Sequence, residues 1–309
     1  MRYLLESINS ILKKRVLIIG SNGMLGQKLT DHFMGRKNIE LLCSSMENSS
    51  FQSEISYKKV NITNKIEVKK LILDFFPDIV INAAAYTNVD KSETERELAW
   101  NINVKGVENI ALFTWTIDGY LIHISSDYVF DGLKGPYSEK DKTNPISYYG
   151  RTKLASENAL IASGVRHSSI RTNVLYGPTK YGRPDFVKWV IDSLKGNQTI
   201  RIVTDQFNNP AFIDDLVIGI SKLSEYQKED IFNIAGQEVL SRYDFTLRIA
   251  DYFGLPKELI VPIETSSLNQ PARRPLKSGL ITLKAQTELG YSPSSIEKTF
   301  EVIKRALKL

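Results

Sequence analysis

Near the start of the chain lies the stretch Arg15-Val16-Leu17-Ile18-Ile19-Gly20-Ser21-Asn22-Gly23-Met24-Leu25-Gly26. Its first five residues are an apolar run rich in β-branched side chains, typical of a buried parallel strand. A glycine-punctuated turn follows directly, and a helix is predicted over about residues 24–33. Strand, turn and helix in this order are the context of a dinucleotide fingerprint, because glycines let the backbone approach a pyrophosphate and the helix N-terminus stabilises its charge.

The same alternation of strand and helix continues along the chain. It predicts a doubly wound parallel α/β sheet, a Rossmann fold, with a smaller C-terminal region interleaved with it. We expect an N-terminal extension at residues 1–14, an NAD(P)-binding domain at 15–175 and a mainly substrate-binding region at 176–309, interleaved near 205–235. The predicted strands are 39–43, 78–82, 120–124, 168–174 and 231–234, and the predicted helices are 65–76, 93–117, 185–194 and 236–253.

Composition excludes several classes of protein. The 309 residues include one cysteine, Cys43, and three scattered histidines, which argue against a disulfide framework and a zinc site. The formal charge is +5, but the basic residues are spread along the chain, so a solvated surface is favoured over nucleic-acid binding. No apolar run reaches membrane-spanning length and residues 1–14 do not resemble a secretory signal. We expect a cytoplasmic protein, with the extension as a docking helix or frayed leader.

The catalytic pair is predicted from spacing. Tyr149 and Lys153 are four residues apart, so they share one face of a helix, whereas the corresponding partner of Tyr148 is Thr152. A free tyrosine has a pKa of about 10, and a neighbouring ammonium favours the phenolate. We therefore expect Lys153 to lower the pKa of Tyr149 and to hold a cofactor ribose with its remaining N–H groups.

Two further polar residues complete the predicted catalytic set. Ser126 follows the strand that ends at Ile124, and ligands of parallel sheets bind at the carboxyl ends of the strands. Its hydroxyl is expected to orient a substrate carbonyl while Tyr149 delivers a proton and the cofactor delivers hydride. Asn103 is expected to hold a water or a backbone group in this network. The alternative interpretations are strand-end capping for Ser126 and helix packing for Asn103.

The choice of cofactor depends on the end of the second strand. A carboxylate there would bind the ribose 2′-hydroxyl of NAD and repel a 2′-phosphate. The position reads Cys43-Ser44-Ser45, without an acid, and Glu40 lies at the wrong end of the strand. NADP(H) is therefore favoured, and NAD(H) remains possible. The predicted cofactor-binding residues are Gly20, Asn22, Gly23, Met24, Leu25, Gly26, Ser44, Ala83, Ala84, Ala85, Tyr149 and Lys153.

Several blocks together resemble the extended short-chain dehydrogenase/reductases, and more narrowly the dTDP-4-dehydrorhamnose reductases. The resemblance runs from about residue 15 to the C-terminus. It is carried by the segments 82–91 (Asn82-Ala83-Ala84-Ala85-Tyr86-Thr87-Asn88-Val89-Asp90-Lys91), 125–132, 135–141, 149–155 and 274–280. The resemblance implies NAD(P)H-dependent reduction of a 4-keto-6-deoxy sugar nucleotide, and possible homodimerisation. It also implies that Thr87, Val89, Ser126 and Tyr149 approach the sugar and that Arg274 lies near the diphosphate.

Two alternatives stay open at this point, and a third, dehydration, is disfavoured. Dehydratases of the superfamily pair Asp with Glu after the strand hydroxyl, whereas this chain has Asp127-Tyr128, so dehydration is disfavoured. A sugar-nucleotide epimerase would retain Ser126, Tyr149 and Lys153. A non-catalytic NADP-binding subunit, similar to the regulatory subunit of methionine adenosyltransferase, would share the fold. It would have no physical need for Ser126, Tyr149 and Lys153 together.

Overall fold

The computed structural model describes residues 13–309. The predicted docking helix of the N-terminal extension falls on residues that lie outside this range. Within residues 13–309 the largest sheet has seven strands, all paired in parallel. The strands are β1 (Lys14–Ile19), β2 (Ile39–Ser45), β3 (Tyr57–Lys59), β4 (Ile79–Asn82), β5 (Tyr120–Ile124), β6 (Arg166–Arg171) and, after four short strands defined below, β11 (Ile231–Asn233).

The strand order is β3-β2-β1-β4-β5-β6-β11, so the direction of winding reverses between β1 and β4. A crevice for a ligand forms at such a switch point, outside the carboxyl ends of the strands. The predicted doubly wound fold is confirmed. The predicted strand at 231–234 is confirmed as β11, which pairs with β6 as an edge strand and brings the chain back to the sheet after residue 176.

Helices cover both faces of the sheet because its central strands are apolar on both sides. Val16 and Ile18 face one layer, and Leu17 and Ile19 face the other. The first layer contains α1 (Met24–Phe33) and α7 (Ile213–Tyr226); the second contains α2 (Lys65–Phe75) and α4 (Gly106–Thr116). The predicted helices at 24–33 and 65–76 are therefore present, the second one residue shorter than expected.

The predicted helix over 93–117 is interrupted. It consists of α3 (Arg96–Trp100), a π-helical segment (Asn101–Lys105) and α4. A π segment inside an α-helix is rare and often lies at a functional site. Here it contains Asn103, whose side chain is buried and hydrogen-bonded to two other segments.

The C-terminal part forms a second apolar core. It is built from α6 (Phe186–Lys195), α8 (Arg242–Phe253) and α10 (Ile296–Leu307) with the paired strands β8 (Ile200–Val203) and β13 (Ile260–Ile263). The prediction of a helix over 236–253 was wrong at its start. Leu240–Ser241 is the short strand β12, and Ser241 caps α8 by accepting a hydrogen bond from the Asp244 N–H. The remaining elements are α5 (Tyr148–Ser163), β7 (Leu175–Tyr176), β9 (Phe207–Asn208), β10 (Ala211–Phe212) and α9 (Leu283–Leu289).

Among residues 13–309, no helix combines the length and the apolarity needed to cross a bilayer. In the same range, no three His, Cys, Asp or Glu side chains are grouped so that they could hold a metal ion.

Candidate active site

The glycine-rich turn connects β1 to α1 in a tightly packed arrangement. Gly20 has a φ of +86°, and a Cβ there would lie 2.6 Å from the Ala84 nitrogen. A Cβ at Gly26 would lie 2.1 Å from the Gly20 carbonyl oxygen, so only glycine lets the helix pack against the turn. Ser44 lies behind the turn: it is fully buried, and its carbonyl accepts hydrogen bonds from the Gly20 and Ser21 N–H groups.

The open side of the turn fits a pyrophosphate. Gly23 precedes α1 and offers no side-chain acceptor to the first N–H groups of the helix, among them those of Met24 and Leu25. The Ser21 hydroxyl is buried without a hydrogen-bond partner among the described residues. Free helix N–H groups and an unpaired hydroxyl are the donors that a phosphate requires. The residues present therefore fit a dinucleotide cofactor.

A carboxylate lies beside the turn after all. Asn22 donates one side-chain hydrogen bond to Glu47 (3.1 Å) and another to the Ser49 carbonyl (3.0 Å), and its backbone N–H donates to the Ser45 hydroxyl. The sequence signal for Glu47 was weak because β2 continues through Ser45 and the acid stands two residues beyond it. Glu40 lies at the start of β2, where it pairs with Arg15 at 3.3 Å, far along the strand from the turn.

Asn103 joins two segments of the site. Its amide oxygen accepts a hydrogen bond from the Tyr86 N–H at 2.8 Å, and its amide nitrogen donates to the Tyr86 carbonyl and to the Thr152 hydroxyl. It is 1% exposed. Tyr86, held in this way, follows Ala83, Ala84 and Ala85, which are half-buried after β4. The chain then leads to the exposed Thr87 and the half-buried Val89. With its polar atoms bonded to protein groups, Asn103 acts here as a positioning residue.

Ser126 and Tyr149 come together at the carboxyl end of β5. The Ser126 hydroxyl donates to the Asp127 carboxylate at 3.0 Å and accepts from the Tyr128 N–H at 3.2 Å. Tyr149 is the second residue of α5, whose capping residue is Ser147. Tyr148 points elsewhere, since the Arg96 guanidinium lies 5.1 Å from its ring centre. Helical spacing thus separates the two adjacent tyrosines as the sequence indicated.

The electrostatics correct one expectation. Burial raises the pKa of Tyr149 well above its usual range, the Asp127 charge adds to the rise, and the nearby Ser126 hydroxyl opposes it. Lys153 does not lower it: the ammonium donates a 2.6 Å hydrogen bond to the Ile124 carbonyl instead. Burial lowers the pKa of Lys153 itself to about 8, against the raising effect of Glu157. Tyr149 therefore keeps its proton at neutral pH, the state that a proton donor needs.

Asp127 links the site to the C-terminal region. Its two carboxylate oxygens accept hydrogen bonds from Ser126 (3.0 Å) and from Ser278 (2.6 Å), a residue 151 positions away. Burial raises the pKa of Asp127 to about 6, and these two hydrogen bonds oppose the rise. Sequence reasoning treated Asp127 only as half of a dehydratase pair and did not predict its contact with Ser278.

Arg274 is engaged by a carboxylate within the protein. Its two terminal nitrogens donate to both oxygens of Asp90, at 2.8 and 2.7 Å, and one of them also donates to the Ala272 carbonyl. A fork of this kind is among the strongest ion pairs in proteins. The pair joins the segment that contains Thr87 and Val89 to the C-terminal loop. The implied contact of Arg274 with a diphosphate therefore competes with Asp90.

A cleft of about 390 Å³ opens beside Tyr128, next to Tyr149. Tyr128 connects the two: its ring packs edge to face on Tyr149, with centres 5.6 Å apart, and also lines the cleft. Aromatic and basic side chains from distant parts of the chain form the other walls. The lining residues are Tyr128, Phe186, Trp189, Arg201, Ile202, Val203, Gln206, Arg242, Leu268, Gln270 and Arg274. Most of them carry no motif, so sequence reasoning missed them.

Comparison with known proteins agrees with this geometry. The family model described as RmlD substrate binding domain matches residues 14–307. The chain belongs to the RmlD substrate binding domain family. A family member named dTDP-4-dehydrorhamnose reductase, from Aggregatibacter actinomycetemcomitans, is 31% identical over 94% of this chain and 98% of its own length. Methionine adenosyltransferase 2 subunit beta from Bos taurus is 30% identical over 92% of this chain and 85% of its own length.

Solved structures of dTDP-4-dehydrorhamnose reductases also superpose on this RmlD-family chain. The dTDP-4-dehydrorhamnose reductase of Clostridium acetobutylicum superposes with a TM-score of 0.85 at 30% identity, covering 96% of this chain and all of that one. The dTDP-4-dehydrorhamnose reductase of Bacillus anthracis, solved in complex with NADP, superposes with a TM-score of 0.83 at 29% identity, covering 96% of this chain and 99% of that one.

Proposed function

We propose that this protein is an NADPH-dependent oxidoreductase that reduces the 4-keto group of a 6-deoxy sugar nucleotide, similar to dTDP-4-dehydrorhamnose, to a hydroxyl in deoxysugar biosynthesis. One observation carries the proposal: the protonated phenol of Tyr149 lies near the Ser126 hydroxyl at the carboxyl end of β5, and its ring packs on Tyr128, which lines a cleft of aromatic and guanidinium groups. A keto group at the inner end of that cleft would be within reach of both Tyr149 and a cofactor bound at the turn.

The residues of this chain would divide the work of reduction. NADPH, held by the glycine-rich turn and Lys153, would supply a hydride for the carbonyl carbon when bound. Tyr149 gives its phenolic proton to the carbonyl oxygen and recovers a proton from solvent after turnover. Ser126 orients the carbonyl oxygen beside the phenol, which requires its hydroxyl to turn from Asp127 to the substrate. Lys153, held by the Ile124 carbonyl, keeps further N–H donors for a ribose.

NADP(H) is the proposed cofactor, and NAD(H) is the alternative. The turn and the first N–H groups of α1 supply donors for the pyrophosphate. The Bacillus anthracis relative was solved with NADP. The Glu47 carboxylate beside the turn is the feature that would oppose a 2′-phosphate, so it is the residue to change in a test of preference. Cytoplasmic location and homodimerisation stay predictions.

A regulatory role is the second candidate, because a methionine adenosyltransferase beta subunit is nearly as similar in sequence as the reductase relative. Such a subunit would bind NADPH and a catalytic partner without consuming the cofactor. Turnover is the property that separates the two functions.

The test is to incubate the purified protein with NADPH and a panel of 4-keto-6-deoxy nucleotide sugars while following NADPH absorbance and the sugar products. Oxidation of NADPH with formation of the 4-hydroxy sugar supports the reductase. Isomerised sugar without net oxidation of NADPH would identify an epimerase. Tight NADPH binding with no turnover on any sugar, together with binding to a methionine adenosyltransferase catalytic subunit, would overturn the reductase proposal in favour of the regulatory one.

A further inference from the structure

Three arginines line the cleft beside Tyr149: Arg201, Arg242 and Arg274. The three side chains differ in exposure and in their ion pairs. Arg274 is 12% exposed in its side chain and is neutralised by the forked pair with Asp90. Arg201 is an exposed residue on β8. Arg242 is half-buried at the first position of α8. A ligand phosphate would therefore meet a different electrostatic environment at each of them.

Among the described residues neither Arg201 nor Arg242 is paired with a carboxylate, and of these two only Arg242 is half-buried. The further contacts of Arg242 are few. Within residues 13–309, no carboxylate forms an ion pair with its guanidinium, and no protein group accepts a hydrogen bond from its side chain; the group instead lies 5.0 Å from the ring centre of Phe186. Its backbone N–H is bonded to the Gln206 carbonyl, which fixes the start of the helix. Burial and the Arg274 charge lower the pKa of Arg242, while Tyr128 and Asp127 raise it.

A guanidinium that rests on an aromatic ring and has five unpaired N–H donors is prepared for an oxyanion. Stacking leaves the edge of the planar group free, and the edge matches two oxygens of a phosphate. Keeping such a cation half-buried without a counter-ion costs free energy, which a bound anion would recover. Arg274 differs from Arg242 because Asp90 already accepts hydrogen bonds from its terminal nitrogens.

The surrounding walls indicate what carries the anion. Trp189 offers an apolar face to a planar base or a sugar, and its ring lies 5.8 Å from that of Phe186, on which Arg242 rests. The Gln270 amide oxygen is buried without a partner among the described residues, so an acceptor is left for a ligand N–H or O–H. Tyr128 lines the same cleft as Arg242, and its ring packs on Tyr149. A ligand phosphate at Arg242 would then lie between a base on Trp189 and a sugar directed towards the Tyr149 phenol.

We propose that Arg242 binds the diphosphate of the nucleotide sugar, and that Arg274 remains paired with Asp90 and holds the wall of the cleft. The assignment deepens the reductase proposal and rests on it for the identity of the ligand. It predicts that Arg242, the first residue of α8, binds the anion. Arg274, to which the family resemblance points, does not.

The test is calorimetric titration of the full-length protein, with NADPH present, using dTDP and thymidine as probes. Arg242→Gln should weaken dTDP binding about 10- to 100-fold, because the loss of charge-assisted hydrogen bonds costs about 1.5–3 kcal/mol, while thymidine binding should change little. Arg242→Lys should recover part of the affinity. Arg248→Gln is the matched control: Arg248 is on the same helix, pairs with Glu238 and Glu297, and is absent from the cleft.

Arg242→Gln with unchanged dTDP affinity would overturn the assignment, most clearly if Arg274→Gln lost it. Failure of the wild-type protein to bind dTDP would also overturn it. Because titration requires no turnover, the two proposals can fail separately: dTDP binding that depends on Arg242 without sugar reduction rejects the reductase alone. Reduction of the keto sugar with dTDP affinity unchanged in Arg242→Gln rejects the arginine alone.

Discussion

Lys153 donates a 2.6 Å hydrogen bond to the backbone carbonyl of Ile124, which ties the helix of Tyr149 to the strand that leads to Ser126. The lysine is 2% exposed, and within residues 13–309 no carboxylate pairs with it; nearby Glu157 is committed to Arg171 at 2.7 Å. Burial of this unpaired ammonium lowers its pKa to about 8. A buried lysine with a perturbed pKa, one helical turn from Tyr149, is a candidate functional residue.

The lowered pKa of Lys153 makes stability depend on pH in a defined direction. Between pH 8 and 10.5 the unfolded lysine holds its proton while the folded one has released it, so folding gains stability as pH rises. Relative to Lys153→Met, the wild-type free energy of unfolding should increase by about 1–2 kcal/mol between pH 7.5 and 9.5. Urea unfolding of both proteins measures the difference, in which other titrating groups cancel. An equal difference at both pH values would contradict the assigned pKa.

Asn103 should contribute to stability through its hydrogen bonds to Tyr86 and Thr152. Asn103→Ala leaves buried polar groups unpaired, so the free energy of unfolding should fall by about 2–3 kcal/mol. Thr152 precedes Lys153, and kcat should therefore fall as well. The control is Asn109→Ala, on α4, where the shortest contact is a 3.0 Å hydrogen bond to the Ile62 carbonyl. The interpretation fails if both variants unfold alike in urea and retain full turnover.

Glu47 should limit the preference for NADPH over NADH. Its carboxylate is held by Asn22 beside the turn that would bind the cofactor, where it repels a 2′-phosphate. Glu47→Gln should raise the ratio of NADPH to NADH affinity several-fold in fluorescence titrations. Glu40→Gln removes a carboxylate near the start of β2, far from the turn, and should leave the ratio unchanged. A ratio that moves equally in both variants would show that only net charge matters.

Strand β1, the glycine-rich turn and the different directions of Tyr148 and Tyr149 could be predicted, because each depends on residues close together in the sequence. The apolar run before Gly20 forms β1 because β-branched residues suit a buried strand, and the glycines form the turn because a Cβ at Gly26 would collide with the Gly20 carbonyl. The separation of Tyr148 from Tyr149 followed from helical geometry alone. Ser126 after β5 and Tyr149 in the first turn of α5 lie near each other, and their roles in catalysis stay predictions.

Contacts between distant residues could not be predicted in this way. Arg274 pairs with Asp90 across 184 positions, and neither position carries a local signal for the other. The start of α8 was placed too early because the short strand β12 pairs with β9, a tertiary contact that replaces the first helical turns. The pKa of Tyr149 was expected to fall because Lys153 is near in sequence, yet burial raises it, and burial is a property of the whole fold.

The most direct test of the central claim is the turnover of Tyr149→Phe compared with Tyr148→Phe. The phenol of Tyr149 supplies the proton, so Tyr149→Phe should still bind NADPH but lose about 10²–10⁴-fold in kcat with a 4-keto nucleotide sugar. Tyr148→Phe should keep kcat close to the wild-type value. Wild-type kcat in Tyr149→Phe would contradict the account.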